Sequence, residues 1–327
     1  MQLSHEAIKQ AVKSYIPLDK SWIIRLGFLD LIRGFIEDIS KFLDSQPQNE
    51  LGTDLKSLRE VARGWQHRYA LPLDVGESGT IYRGVQFYRW LNNILHEPIK
   101  SKTLIERSEK YITNNPLIVT WTPEQLRELD HKTSQWATMQ YLFEHPSRRR
   151  KSKPLADRGE KTEEDVDFKL RVTYDAVDHW EKQRAKGEVW VPRTDPTLWD
   201  QSVAFVEGLL TGKVNYVGQQ PEDCCFELAF GLTSVEEARR RYPSVEGHET
   251  SRFDEMQKVI AEVDSGKPIC SKDHRVVQAM IERQLVKGIP VKVADWSMTS
   301  KTWPEFEKFI RFALEFAGKD PANYLLN

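Results

Sequence analysis

Residues 21–42 read SWIIRLGFLDLIRGFIEDISKF, and their apolar positions decide the fold. Ile24, Phe28, Leu31, Phe35, Ile39 and Phe42 recur with the 3.6-residue period of a helix that buries one face. The spacing predicts one continuous helix of about five turns starting at Ser21. Similar periods follow Thr80 (Ile81, Val85, Tyr88, Leu91, Leu95), Ser134 (Trp136, Met139, Phe143) and Asp273 (Val277, Met280, Ile281). Thr302 and Glu305 have the spacing of a capping box ahead of Phe306, Phe309 and Phe312. Strand candidates are short: Leu117–Trp121, Val189–Val191, Val214–Val217 and Val291–Ala294. Helices alternating with short strands predict an α/β or α+β chain.

The 327 residues suffice for two ordinary domains or one large one. The 10 Trp, 10 Tyr and 14 Phe supply a core despite a hydrophobic content of 39%. Lys and Arg number 47 against 49 Asp and Glu. That balance argues against a general nucleic-acid or membrane-surface binder, so an anion site must be a local cluster. Three cysteines (Cys224, Cys225 and Cys270), two of them adjacent, do not read as a disulfide framework. No leader pattern and no run of membrane-spanning length is visible, and a cytoplasmic location is expected. The motifs of zinc sites, phosphate loops, dinucleotide turns and nucleophile elbows are missing, so metal-free acid–base chemistry without a cofactor is expected.

Two polar stretches interrupt the pattern. Arg148–Lys153 is a basic run, read as a solvated loop or an anion contact. Residues 158–188 are highly charged, with helical spacing at Val166, Leu170, Tyr174, Val177 and Trp180, and a domain boundary is expected at Gly187.

The helix starts share a chemistry. Asp19-Lys20-Ser21, Glu77-Ser78-Gly79-Thr80, Lys132-Thr133-Ser134-Gln135, Asp273-His274-Arg275 and Thr299-Ser300-Lys301-Thr302 each put hydroxyls, small residues or cations at a helix N-terminus. Free backbone N–H groups and the positive dipole end there favour phosphate or carboxylate. Ordinary N-capping is the simpler reading of any one of these turns, and the set of five with added Lys or Arg is what points to an anion.

Taken in order, the turns resemble the motif series of the 5-enolpyruvylshikimate-3-phosphate (EPSP) synthase family. Pro17-Leu18-Asp19-Lys20-Ser21, with Arg25 following, is similar to the family's first motif, and Glu77-Ser78-Gly79-Thr80-Ile81-Tyr82-Arg83 to its second. Glu106-Arg107-Ser108, Thr133-Ser134-Gln135 and Ser152-Lys153-Pro154-Leu155 follow in the family's order. Glu222-Asp223-Cys224-Cys225-Phe226, His248-Glu249-Thr250-Ser251-Arg252, Asp273-His274-Arg275 and Ser300-Lys301-Thr302-Trp303-Pro304 complete it.

The resemblance implies transfer of the enolpyruvyl group of phosphoenolpyruvate to shikimate 3-phosphate, with release of phosphate. It places Lys20, Gly79, Arg107, Gln135, Arg252, Arg275 and Lys301 around phosphoenolpyruvate. Ser21, Arg25, Thr133, Ser134, Gln135, Ser152, Asp223 and His248 fall on the shikimate 3-phosphate side. Two polyanions held side by side require several fixed cations, and the arginine fork grips carboxylate or phosphate in pairs of bonds. Glu249 and Asp223 are the implied acid and base, with Lys20 and Lys301 as proton partners. On their own, Glu249 and Arg252 also have the spacing of a helix-surface ion pair, and Asp223 that of an N-cap.

The implied fold is a two-domain, inside-out α/β barrel of repeated βαβαββ units, reduced in size. One lobe would run over residues 20–187; residues 1–19 and 188–327 would form the other, in a monomer with a closing cleft. Leu155, His248, Ser244 and Glu77 depart from the family pattern on the acceptor side. Transfer to a different acceptor, or a non-catalytic phosphometabolite-binding homologue, are the alternatives.

Overall fold

A computed structural model of the chain describes residues 4–66, 73–76, 78, 80–82, 84–85, 99–101, 164–242, 245 and 251–326. The described residues are mainly helical, with two short pairs of parallel strands. The chain divides into two compact units: residues 19–193, and residues 1–18 together with 194–327. No helix among the described residues is long and apolar enough to cross a membrane.

Helix α1 (His5–Val12) opens the chain and belongs to the second of these units. The unit of residues 19–193 begins with α2 (Lys20–Arg33). Asp19 caps it, its Oδ1 accepting from the Trp22 N–H at 3.0 Å while its Oδ2 meets Arg193 at 2.8 Å. The single five-turn helix expected from the period is instead two. Gly34, at φ +83°, ends α2 in the left-handed conformation, and α3 (Ile36–Ser45) restarts after Phe35. Only glycine takes that turn without steric cost. The apolar period runs through the break because Phe28, Leu31 and Ile39 on both helices are buried.

Helix α4 (Thr53–Gln66) packs on α2 and α3. A methyl group at Gly27 would come within 2.9 Å of Leu58 on α4 and 3.1 Å of Ile39 on α3, so the missing side chain sets how closely these helices approach. Strands β1 (Leu73–Gly76) and β2 (Ile99–Ser101) pair in parallel. The long α5 (Glu164–Ala185) lies along α2.

Asp30 of α2, fully buried, ties these parts together. Its carboxylate accepts from the Trp180 and Trp190 indoles and from Arg184, each at 2.7 Å. This explains why Val189–Val191 is not the expected strand. Trp190 turns inward to Asp30 while Val189 and Val191 face solvent, and the segment has irregular backbone.

In the unit of residues 1–18 and 194–327, α6 (Pro196–Thr211) is capped by Asp195 and carries α1 on one side. A short 3-10 turn (Pro221–Asp223) leads into α7 (Cys224–Ala229), followed by α8 (Val235–Arg241) and α9 (Arg252–Asp264). Helix α10 (His274–Val286) is buried along most of its length, in contact with α6, α7 and α9. Strand β3 (Val291–Lys292), α11 (Phe306–Phe316) and β4 (Leu325–Leu326) complete it, β3 pairing with β4 in parallel.

Two local expectations fail here for definite reasons. Val214–Val217 is irregular, since Tyr216 turns in to bond Asp223 while Val217 is exposed. The Thr302–Glu305 capping box does not form. Thr302 closes the 3-10 turn Trp296–Lys301, where its hydroxyl accepts from Gln278 at 3.4 Å, and α11 starts only at Phe306.

Candidate functional site: a buried polar cavity

Helical spacing brings several polar side chains of the second unit to one place. Arg275, Gln278, Ala279 and Glu282 stand at i, i+3, i+4 and i+7 on α10 and therefore share one face. Glu222, Cys225 and Phe226 do the same across the 3-10 turn and α7, and Leu198 and Gln201 on α6. Together with Trp303 and Phe306 these residues line a cavity of about 10 Å³, room for one water-sized group.

Glu282 is 4% exposed and makes no hydrogen bond or ion pair among the described residues. Burial pushes its carboxyl well above the usual range, which favours the protonated acid. The Trp303 indole nitrogen is likewise buried, with no hydrogen-bond partner among the described residues. Its ring is fixed by stacking on Phe309, centroids 4.7 Å apart, and by an edge contact with Phe306. Arg275 is half-buried, and its guanidinium makes no hydrogen bond or ion pair among the described residues.

Asp223 sits behind this wall. Its Oδ1 accepts from Gln201 Nε2 and from the Tyr216 hydroxyl, both at 2.6 Å; its Oδ2 accepts from the backbone N–H groups of Gln219 and Gln220 at 2.8 and 3.1 Å. Burial raises its pKa to about 6 against the pull of these four donors. Burial and the Asp223 charge together push the Tyr216 phenol up, so it remains a donor.

Arg252, at the start of α9, bonds Asp273 at 2.6 Å. Burial works against both charges, but each holds the other ionised: Asp273 lies below the usual carboxylate range and Arg252 above its ordinary value. Asp273 also caps α10, accepting from the Arg275 N–H at 2.9 Å. The Cys225 thiol, hydrogen-bonded to the free Cys224 thiol and buried, is pushed up.

Of the residues singled out in the sequence, Asp223, Arg252, Arg275 and Lys301 lie in this unit. Arg275 lines the cavity, Asp223 is joined to it through Gln201, Arg252 is engaged by Asp273, and Lys301 is exposed two residues before Trp303. Lys20, Ser21 and Arg25 lie in the unit of residues 19–193. Lys20 is bound to Asp54 of α4 at 2.7 Å with its side chain 18% exposed. Ser21 is exposed, and Arg25 donates to Thr173 and to the Ser21 carbonyl, both at 2.8 Å. Gly79, Arg107, Thr133, Ser134, Gln135, Ser152, His248 and Glu249 lie outside the described residues.

Gln201, Gln278 and Glu282 were not singled out from the sequence. The signal was weak: Arg275, Gln278 and Glu282 have one-face spacing on α10, but His274, Arg283 and Gln284 put polar groups on its other faces too.

The chain thus forms two compact, helix-rich units, one of which encloses a small cavity with carboxyls, a guanidinium and an indole on its wall. Comparison with protein-family models, curated proteins and solved structures finds no match for this chain.

Proposed function

We propose that the cavity is the inner wall of the working site of this chain, where one oxygen of a larger oxyanion would sit beside a proton-holding acid. The observation that carries this is convergence. The separate strings 222–226, 273–275 and 300–304 contribute Glu222, Cys225, Phe226, Arg275 and Trp303 to a single cavity. An arginine provides the countercharge for an oxyanion, and a carboxyl of raised pKa can hold a proton near neutral pH.

Joined to the resemblance, the reaction is enolpyruvyl transfer from phosphoenolpyruvate to shikimate 3-phosphate or a related acceptor. In that reading Arg275 and Lys301 meet phosphoenolpyruvate, Asp223 handles a proton, and the chain is a cytoplasmic monomer. It also carries the lobe division at 20–187 and the two-domain inside-out barrel of βαβαββ units as proposals.

Specific contacts favour the second reading, a non-catalytic homologue that binds a phosphometabolite. Lys20 and Arg252 are engaged by carboxylates, and Asp223 accepts four donors. Each would have to exchange these bonds to meet a substrate, and breaking a buried charged pair costs several kcal/mol, roughly 3–5.

Phosphate release measured with phosphoenolpyruvate and shikimate 3-phosphate separates the two. Turnover that disappears in Arg275→Ala supports transfer. Calorimetric binding of phosphoenolpyruvate without turnover supports the homologue, and neither signal removes both.

A further inference from the structure

We infer that the cavity is the seat of one bound water molecule, which bridges the Trp303 indole N–H and the Glu282 carboxyl. The inference goes beyond the proposed function and does not depend on it: a ligand oxygen entering the cavity would have to displace this water.

Two buried bonding groups on one wall call for a partner. The Trp303 indole is 2% exposed, and its nitrogen is buried with no acceptor among the described residues. Contacts with Phe306 and Phe309 hold the ring, so the indole cannot easily turn to find one. An indole N–H can only donate. Glu282 is 4% exposed, with no hydrogen bond or ion pair among the described residues. Buried polar groups left in this way are costly, and a trapped water is the usual remedy.

Size and charge select water over an ion. About 10 Å³ is room for one water molecule and nothing larger. Glu222, whose Oε2 is buried, and Glu282 bring two carboxyls to the wall, and these oppose an anion. Arg275 and the indole N–H, which presents hydrogen and no lone pair, oppose a cation. The Nε2 groups of Gln201 and Gln278 are already given to Asp223 and Thr302. A neutral molecule that both donates and accepts is opposed by none of these groups. It can accept from Trp303 and meet Glu282 whether or not that carboxyl carries its proton.

The test uses the full chain with 15N-labelled tryptophan, the indole resonance of Trp303 being assigned through Trp303→Phe. Water-selective NOE and ROE spectra are recorded on the parent, Glu282→Gln and Glu282→Leu. The expected result is a contact between the Trp303 N–H and water whose sign marks dipolar proximity and not proton exchange. Glu282→Gln, which still donates and accepts, keeps the contact; Glu282→Leu, which does neither, loses it. The other nine indole signals report whether each variant is folded.

No dipolar contact in the parent, or an undiminished contact in folded Glu282→Leu, would overturn the inference. So would a saturable shift of the Trp303 N–H with ammonium chloride or sodium formate but not with sodium chloride, since an ion would then hold the space. Excess phosphoenolpyruvate tells this inference from the proposed function. A water contact that persists unchanged supports the water and removes the oxyanion reading, whereas a contact present in the free chain and abolished by phosphoenolpyruvate supports both.

Discussion

The side-chain amide of Gln201 donates to Asp223 Oδ1 at 2.6 Å, joining a residue on the cavity wall to a buried carboxylate behind it. Gly218 makes room for this corner: a methyl there would stand 2.7 Å from the Asp223 Cβ and 2.6 Å from Glu227 Oε2. The consequence is a carboxylate caught between burial, which favours its acid, and four donors, which favour its anion.

Asp223 should make stability fall as pH rises from about 4 to about 6. Its folded pKa of about 6 lies above the ordinary 3.8. The folded state therefore binds the proton more tightly, and the contribution is complete below about pH 4 and is lost as pH rises through about 6. The two values correspond to about 3 kcal/mol across that window. Asp223→Asn should flatten the slope of unfolding free energy between pH 4.5 and 7. It should also lower stability at pH 7 by about 1–3 kcal/mol, because its amide NH2 replaces an acceptor among donors. An unchanged slope in urea titrations across that range would show that Asp223 has an ordinary pKa.

Glu282→Gln should be tolerated at low pH and increasingly stabilising as pH rises. Burial raises the folded pKa of Glu282, so its favourable neutral state is complete below the unfolded value of 4.5 and is lost as pH climbs toward the folded one. Glutamine has nearly the same shape and no charge to bury. Melting temperatures of the two proteins from pH 5 to pH 9 should diverge in favour of the variant; parallel curves would contradict this account.

Lys20→Met should destabilise the protein whatever it does to activity. The sequence places Lys20 at a helix start as a cation for a ligand, but its ammonium already holds Asp54, whose side chain is only 3% exposed. Removing it should cost roughly 2–3 kcal/mol, less than the roughly 3–5 kcal/mol of a fully buried pair because Lys20 keeps some contact with water. Chemical denaturation checks the value. Lys20→Met with Asp54→Leu should recover part of the loss, and a single variant as stable as the parent would show that the pair contributes nothing.

Asp30→Ala should be among the most damaging changes in the unit of residues 19–193. It leaves the indoles of Trp180 and Trp190 and the Arg184 guanidinium without their shared buried acceptor. A loss of at least about 3 kcal/mol is expected, together with a red shift of tryptophan emission as the indoles meet water. Emission unchanged at full folded population would be inconsistent with this role.

How far these features were legible depends on the range of the interaction that makes them. Asp19 before α2 and Asp273 before α10 could be recognised as caps, because a cap bonds a backbone N–H two or three residues away. The apolar period of residues 24–42 identified helix, but it continued through Gly34 without registering the break, since both helices bury the same side of the pattern. Val189–Val191 had strand composition; the indole of Trp190, bonded to an aspartate 160 residues earlier, decided otherwise.

By itself the sequence determined helical character around residues 24–42, 166–180, 277–281 and 306–312, because periodicity and capping are short-range properties written in neighbouring residues. Only the tertiary structure decided which charges are spoken for. Lys20 meets Asp54 and Arg252 meets Asp273 across 34 and 21 residues, while Arg275, Glu282 and Trp303 converge on one cavity from α10 and the turn before α11. A charge at a helix start looks the same in sequence whether it awaits a ligand or already has a partner, and burial and through-space distance distinguish the two.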